Sequence, residues 1–198
     1  GLDKPIQITH ASSTFFISFD LPMTVRLLNG EERSCHSVLL PADQTAFIDA
    51  GGSTIASCNL DVFGRDYAAL KRIMSYSKGG AYFDIQSRER YVQAFSDIWH
   101  RQSCLDETFD ILGGLIVPVD LRKGIRSPVD MRVVKVVKII KETIGDNVSV
   151  DFLAQQVNLS TARLVQLFKQ QTSVPIRRFR VWYRLYVTAV LMAGGISM

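Results

Sequence analysis

The stretch from Val148 to Thr172, VSVDFLAQQVNLSTARLVQLFKQQT, constrains this chain more than any other. It reads as two short helices joined by a tight turn. Ser149 is placed to cap the first helix, and Leu153, Ala154 and Val157 supply its buried side. The turn falls at Asn158, a residue type that tolerates the left-handed backbone conformation. Ser160 is placed to cap the second helix by accepting a hydrogen bond from an orphan backbone N–H. Leu164, Leu167, Phe168 and Gln171 then recur at spacings of three and four and define one side of that helix. Ala162, Gln166 and Lys169 fall on the other side. The pattern is helix-turn-helix, and in DNA readers of this kind the second helix enters the major groove.

The charge is concentrated in the same region. Residues 128–198 carry ten Lys/Arg against four Asp/Glu, whereas residues 1–127 carry 13 against 15. Basic surface suits a phosphate-rich partner, because each neutralised phosphate releases a counterion. A solvated basic face is the alternative reading. The chain has 198 residues, enough for one large or two small cores. No apolar run is long enough to span a bilayer. No basic segment followed by an apolar run marks a secretory signal. The expectation is a cytoplasmic protein with no membrane partner. Gly1 stands where an initiator Met is expected, as in a trimmed or tagged chain. Cys35, Cys58 and Cys104 are odd in number and lack paired spacing, so they read as reduced thiols.

Residues 14–63 are strand-like. Phe15, Ile17 and Phe19 alternate with Thr14, Ser18 and Asp20, the period of a half-buried strand. Met23 to Leu28 predicts a second strand, Asn29-Gly30 a hairpin turn, and Glu31 to Leu40 the return. Thr45–Asp49 and Thr54–Val62 flank Gly51-Gly52, which reads as a further hairpin. Short strands at this spacing predict a small antiparallel sandwich or barrel.

Helical spacing follows. Tyr67, Leu70, Ile73 and Met74 predict a helix over Asp66–Tyr76, broken at Lys78-Gly79-Gly80. Ser87–Arg101 predicts a better one, with Tyr91, Phe95, Ile98 and Trp99 on one side. That stripe reads either as core or as a dimerisation surface. Leu105–Ile116 predicts a short helix ending near Gly113-Gly114. Residues 118–129, with Pro118 and Pro128 and a cluster of basic side chains, read as a linker between domains 1–117 and 130–198. Val133, Val136, Val137, Ile140 and Ile144 predict a long helix over Asp130–Ile144 with Gly145 as its C-cap. After Val174-Pro175, a long helix is predicted over Ile176–Ala193.

Residues 130–198 resemble the first half of the DNA-binding domain of AraC/XylS-type regulators. The resemblance rests on Leu153-Ala154, the turn to Leu159-Ser160, Leu164, Leu167-Phe168-Lys169, Pro175 and Arg184-Leu185. It implies that Ile176–Ala193 connects this helix-turn-helix to a second one beginning near Gly195-Ile196, where the chain stops. It further implies a cupin-like N-terminal domain, to which the run from His36 to Gly52 is similar. The implied fold is α+β: a small antiparallel β-barrel (cupin-like) with helices, then an all-α helix-turn-helix subdomain. Ser173 departs from the family pattern, which usually has a glycine there. Val181 and Trp182 stand where basic residues are common.

The implied function is sequence-specific DNA-binding transcription regulation, with double-stranded DNA, a homodimer partner and a small-molecule effector as the implied partners. The candidate base-reading face is Thr161, Ala162, Val165 and Gln166, flanked by Arg163, Lys169 and Gln170. Gln can pair bidentately with adenine, and Ala or Val can touch a thymine methyl. Arg163 and Lys169 suit phosphate, and Ser160 combines its cap role with a phosphate contact. Arg177, Arg178 and Arg180 open the last helix, where positive charge is unfavourable against the dipole unless an external anion offsets it. For an effector inside the barrel, Phe15, Phe19, Phe47 and Cys58 are the candidate lining residues. The alternative is a truncated sensor or interaction module that does not bind DNA stably without a second helix-turn-helix. A cupin enzyme is the third reading. His10, His36 and His100 form no His-x-His pair, and neither a phosphate loop nor a nucleophile elbow is present. No catalytic residue, metal or cofactor is therefore expected.

Overall fold

Strand-forming alternation dominates the first of two compact units, Gly1–Ser127 and Pro128–Met198. The computed structural model describes residues 5–60, 62–63, 65–101, 105–116 and 129–193. The linker expected at 118–129 lies, up to residue 128, outside the described residues, as do Cys104 and residues 194–198.

In the first unit the strands are β1 (Ile6–Thr9), β2 (Thr14–Ser18), β3 (Met23–Leu27), β4 (Glu32–Cys35), β5 (Ser37–Leu40), β6 (Thr45–Asp49), β7 (Ile55–Asn59), β8 (Met74–Lys78) and β9 (Ala81–Ile85). The helices are α1 (Arg65–Leu70), α2 (Arg88–Arg101) and α3 (Leu105–Ile116). The strands form two antiparallel sheets, β1-β6-β3-β4 and β7-β2-β5-β9-β8. Every residue of β2 is buried, because both faces of its sheet are covered. Phe16 points toward the four-stranded sheet and packs with Met23, Val25, Val38, Ile48 and Phe83. Phe15 and Ile17, one residue out of phase, point the other way and pack with Leu39, Leu70, Tyr91 and Leu115. The layers are sheet, sheet and helices.

Several local expectations give way to this arrangement. The barrel is not closed, since the strands separate into two sheets with edges at β1, β4, β7 and β8. The return strand over Glu31–Leu40 breaks at His36, so that β4 pairs with β3 while β5 pairs with β2 and β9. Asp84 holds the break, its Oδ1 accepting from the N–H of His36 at 2.8 Å and of Ser37 at 3.3 Å. Asn29-Gly30 does turn a hairpin, pairing Arg26 with Glu32. Gly51-Gly52 does not: β6 and β7 lie in different sheets, and the two glycines, both at positive φ, carry the chain across. The helix expected over Asp66–Tyr76 stops at Ile73, after α1 and the 3-10 turn Lys71–Ile73. Met74–Lys78 instead pairs with Ala81–Ile85, because strand pairing and the burial of Ala81, Phe83 and Ile85 outweigh a short helical pattern. α3 continues through Gly113-Gly114 to Ile116.

The second unit contains α4 (Met131–Glu142), α5 (Val150–Gln155), α6 (Thr161–Thr172) and α7 (Ile176–Ala193). Asp130 caps α4, accepting from the N–H of Arg132, and Val133, Val136, Val137 and Ile140 form the buried stripe. The helix ends two residues earlier than Gly145 suggests. Thr143 is its C-cap, and Gly145 does not adopt positive φ. Leu153, Ala154, Leu164, Leu167, Phe168, Val174, Ile176 and Phe179 complete the core, with the Phe168 and Phe179 rings 5.8 Å apart. No described helix is long and apolar enough to cross a membrane.

Candidate nucleic-acid interface

Local chemistry sets the α5-turn-α6 geometry. The Ser149 hydroxyl accepts from the N–H of Phe152 at 3.0 Å and that of Ser160 from Arg163 at 3.3 Å, so both helices begin on the side-chain caps read from the sequence. Asn158 takes φ 53°, and the N–H of Leu159 reaches back to the Ala154 carbonyl at 3.0 Å, closing the turn. The Thr161 hydroxyl donates to the Asp151 carboxylate, a cross-link between the two helices that spacing alone did not reveal. At the far end, α6 stops at Ser173, which sits in the left-handed conformation at φ 65°. A left-handed position favours glycine, and here a serine occupies it.

The two faces of α6 separate cleanly. Leu164, Leu167, Phe168 and Thr172 are buried. Ser160, Ala162, Arg163, Val165, Gln166, Lys169 and Gln170 are exposed and Thr161 is half-buried. Val165 is 42% exposed, high for a branched apolar side chain on a helix that buries its other face. Gln171, read as part of the apolar side, is half-buried, and its Oε1 accepts from the N–H of Asp130 at 3.0 Å. It ties α6 to the start of α4.

Arg163 donates from Nη1 to Oε1 of Gln166 at 2.9 Å. Because a guanidinium only donates, the amide oxygen must face it, and the amide nitrogen faces outward. Bidentate contact with adenine requires both ends of the amide, so it requires this pair to open. A surface pair three residues apart on a helix contributes about 0.2–0.5 kcal/mol. That is small beside the roughly 1–3 kcal/mol by which a bidentate base contact discriminates, so the pair is cheap to open.

The arginines of α7 divide by role. Arg177 and Arg178 are exposed in its first turn. Arg180, read from the sequence as a further anion contact, turns inward: Nη1 donates to the Val148 carbonyl at 2.5 Å and Nη2 to that of Asp146 at 3.3 Å. Arg184 donates from Nε to Ile144 O and from Nη2 to Asp146 O, both at 3.0 Å. These side chains satisfy the carbonyls left open where α4 ends and α5 has not begun. Two further cations near the interface were not singled out from sequence. Arg132 bridges Asp130 at 2.7 Å, and Lys135 donates to the Gln156 carbonyl at 2.7 Å. The hydrogen bonds from Arg132 hold the Asp130 carboxyl down to about 2.

In the first unit, the residues proposed to line a barrel lumen do not share one. Phe15 is fully buried on the helix side of the five-stranded sheet, where Phe19 and Cys58 also pack. Phe47 lies on a strand whose buried positions are Ala46 and Ile48, and the Arg26 guanidinium stands 4.9 Å from its ring. Side-chain parity along each strand decides this. Between the sheets Phe16, Met23, Val25, Val38, Ile48 and Phe83 pack together. A half-open cleft of about 510 Å³ lies elsewhere, between Phe19, Ile55 and Ala56 on one side and Phe95, Ile98 and Trp99 on the other. The dimerisation stripe is split accordingly. Tyr91 is core, 5.9 Å from the Phe15 ring, and offers nothing to a partner. Phe95 and Ile98 are half-buried, and Trp99 is 79% exposed.

Among the described residues no group of three or more His, Cys, Asp or Glu is placed to hold a metal. Cys35, on β4 of the four-stranded sheet, and Cys58, on β7 of the five-stranded sheet, pack in separate cores. Burial, with Asp84 near Cys35 and Asp66 near Cys58, pushes both thiols up to about 12, so neither is a ready nucleophile. The Nδ1 of His10 meets the Thr14 hydroxyl at 2.8 Å, and that of His36 meets Ser18 Oγ at 3.3 Å.

No family model matches the chain, and no curated protein sequence does. Among solved structures, ToxT from Vibrio cholerae O395 is similar over 90% of this chain and 94% of that chain, at 9% identity and a TM-score of 0.33. ToxT from Vibrio cholerae in a P21 form covers 91% and 96%, at 12% identity and a TM-score of 0.28. Unsaturated fatty acid bound wild-type ToxT from strain SCE256 covers 89% and 91%, at 11% identity and a TM-score of 0.28. Likenesses of this size leave the functional reading to the residues themselves.

Proposed function

We propose that this chain is a sequence-specific DNA-binding transcription regulator whose α6 reads the major groove. The observation that carries the reading is the solvent face of α6. Small and amide side chains (Ala162, Val165, Gln166, Gln170) are presented together with Arg163 and Lys169 on a helix fixed by both its caps and its buried side. Ala162 and Val165 suit thymine methyl groups, and Gln166, released from Arg163, suits adenine. Lys169, Arg163, Arg177 and Arg178 suit phosphates and position the helix without reading sequence. The Ser160 cap leaves the remaining first-turn N–H groups of α6 for a backbone phosphate. The net charge of residues 128–198, ten Lys/Arg against four Asp/Glu, supports the same partner. The first unit then acts as the regulatory module. An effector or a second copy changes DNA binding only in so far as it favours one arrangement of the readers over another.

The test is fluorescence-anisotropy binding to duplex fragments of genomic DNA over a salt series. The logarithm of the binding constant falls linearly with log salt if phosphates are neutralised. Lys169→Ala lowers the slope by about one without changing sequence preference. Gln166→Ala costs about 1–3 kcal/mol on the preferred site and relaxes choice at one base. Duplex binding with no salt dependence, or no binding at all, ends the proposal.

A further inference from the structure

Two neighbouring hydroxyls open α6, and their hydrogen bonds commit them to opposite roles. A serine or threonine hydroxyl has one proton to give and two lone pairs with which to accept. Ser160 uses a lone pair: its Oγ accepts from the N–H of Arg163 at 3.3 Å, and among the described residues its proton goes to no partner. Thr161 uses its proton. It donates to the Asp151 carboxylate, which has no proton of its own, so the direction of this bond is fixed. Ser160 can therefore still donate, and phosphate oxygens accept. Thr161 can only accept, so phosphate is closed to it and a base amine is open.

The bond also lies at the reading end of the helix. Asp151 is in the first turn of α5, and Thr161 is the first residue of α6, where the N-terminal residues of a recognition helix reach base edges. Val165, one turn on from Thr161, lies on the same side of α6 and is 42% exposed, so α5 does not cover this flank. Asp151 is exposed, and Thr161 is its one side-chain donor among the described residues. A duplex laid over α6 removes water from that carboxylate, and a desolvated carboxylate depends on its donor more than a hydrated one does. The pair consequently stays closed on DNA, unlike Arg163 with Gln166, where the cation has phosphates to turn to.

We infer that Thr161, held by Asp151, is a specificity-determining residue that selects a base bearing an exocyclic amine, adenine or cytosine, over guanine or thymine. In the major groove adenine N6 and cytosine N4 donate, whereas guanine O6 and thymine O4 accept. A hydroxyl free to rotate serves both classes. One whose proton is committed serves the amines and sets lone pair against lone pair at a keto oxygen. Each base pair offers one amine and one keto group in this groove, so the contact decides which strand carries the amine. Asp151 acts only through Thr161 and is a positioning residue.

The inference rests on α6 as the reading helix, and the experiment separates the two. The full chain selects duplexes from a randomised pool, and affinities are then measured for the selected site with each base pair exchanged in turn. At one position adenine or cytosine is preferred by about five- to tenfold. Thr161→Val removes the oxygen at nearly equal volume and brings that ratio within about twofold, and Thr161→Ser, which keeps the hydroxyl, restores it. Asp151→Ala frees the Thr161 proton and admits guanine or thymine to within the same limit of about twofold. Replacing the preferred base by its analogue without the exocyclic amine weakens wild-type binding by about five- to tenfold and Thr161→Val binding by less than about twofold. Each readout compares two duplexes on one protein preparation, so a smaller folded fraction cancels. A wild type that binds no duplex refutes the reading of α6 and this inference with it. One that binds with no Thr161-dependent preference for adenine or cytosine, or that keeps this preference in Asp151→Ala, refutes this inference alone.

Discussion

Replacing Arg180 by alanine separates two roles for a cation near the interface. Sequence alone permits Arg180 to meet phosphate, but its guanidinium instead donates to the carbonyls of Val148 at 2.5 Å and Asp146 at 3.3 Å. A hydrogen bond from a charged donor contributes about 1.5–3 kcal/mol where water is excluded. Arg180 is half-buried and its second bond is long, so Arg180→Ala should cost about 1.5–2.5 kcal/mol in all. Arg184 is exposed, and Arg184→Ala should cost about half as much. The chain has two tryptophans. In a Trp99→Phe background, Trp182, half-buried on α7, reports the unfolding of the second unit in urea. The midpoint should fall for Arg180→Ala with no change of slope. The salt dependence of DNA binding should stay at the wild-type slope for Arg180→Ala, while Lys169→Ala lowers it by about one. An unchanged urea midpoint together with a reduced salt slope would show that Arg180 spends its charge on phosphate, and would refute the internal role.

Three further outcomes follow from particular geometries. Ser173→Gly should stabilise the second unit by about 0.5–1 kcal/mol, since Ser173 sits at φ 65°, and glycine relieves a left-handed cost of roughly 1–2 kcal/mol while losing part of it to unfolded-chain entropy; an unchanged or lower urea midpoint contradicts this. A Cβ on Gly79 would stand 2.6 Å from Leu27 Cδ1 and against Glu31 Oε2, whereas one on Gly80 comes no nearer than 3.6 Å. Gly79→Ala should therefore cost about 2–4 kcal/mol and Gly80→Ala about 1–2, and equal thermal shifts would show that the contacts do not matter. Asp130 is held down to about 2 by its hydrogen bonds from Arg132. Its folded-state pKa is depressed, so its contribution is present above the unfolded value near 4 and is lost as pH falls through about 2. An NMR carboxyl titration checks this, and an Arg132→Ala protein should titrate near 4.

The second unit was largely legible before folding because its information is local. Ser149 and Ser160 cap within three residues, Asn158 turns on its own backbone preference, and the spacing of Leu164, Leu167 and Phe168 states which face is buried. What stayed illegible there was the reach of long side chains. Arg180, Arg184 and Gln171 reach carbonyls or N–H groups on other segments, and nothing in their sequence neighbourhood says so. The first unit was legible only as strands. Whether Gly51-Gly52 turns a hairpin or crosses between sheets depends on where β1, β2 and β3 lie. Phe47 was misplaced by one step of side-chain parity, and of the two readings of the α2 stripe, core or dimerisation surface, Tyr91 takes the core one.

Sequence by itself determined the capped helix pair, the composition of its exposed face and the basic excess around it. These depend on residues within one or two helical turns of each other, where backbone geometry leaves few choices. Tertiary structure alone decided which arginines are spent inside the protein, that the strands stay in two sheets, and that β7 is left as an uncharged edge beside an apolar cleft. Each of those outcomes is a pairing between distant segments, and a distant partner is set by the whole chain's packing and not by the residues on either side.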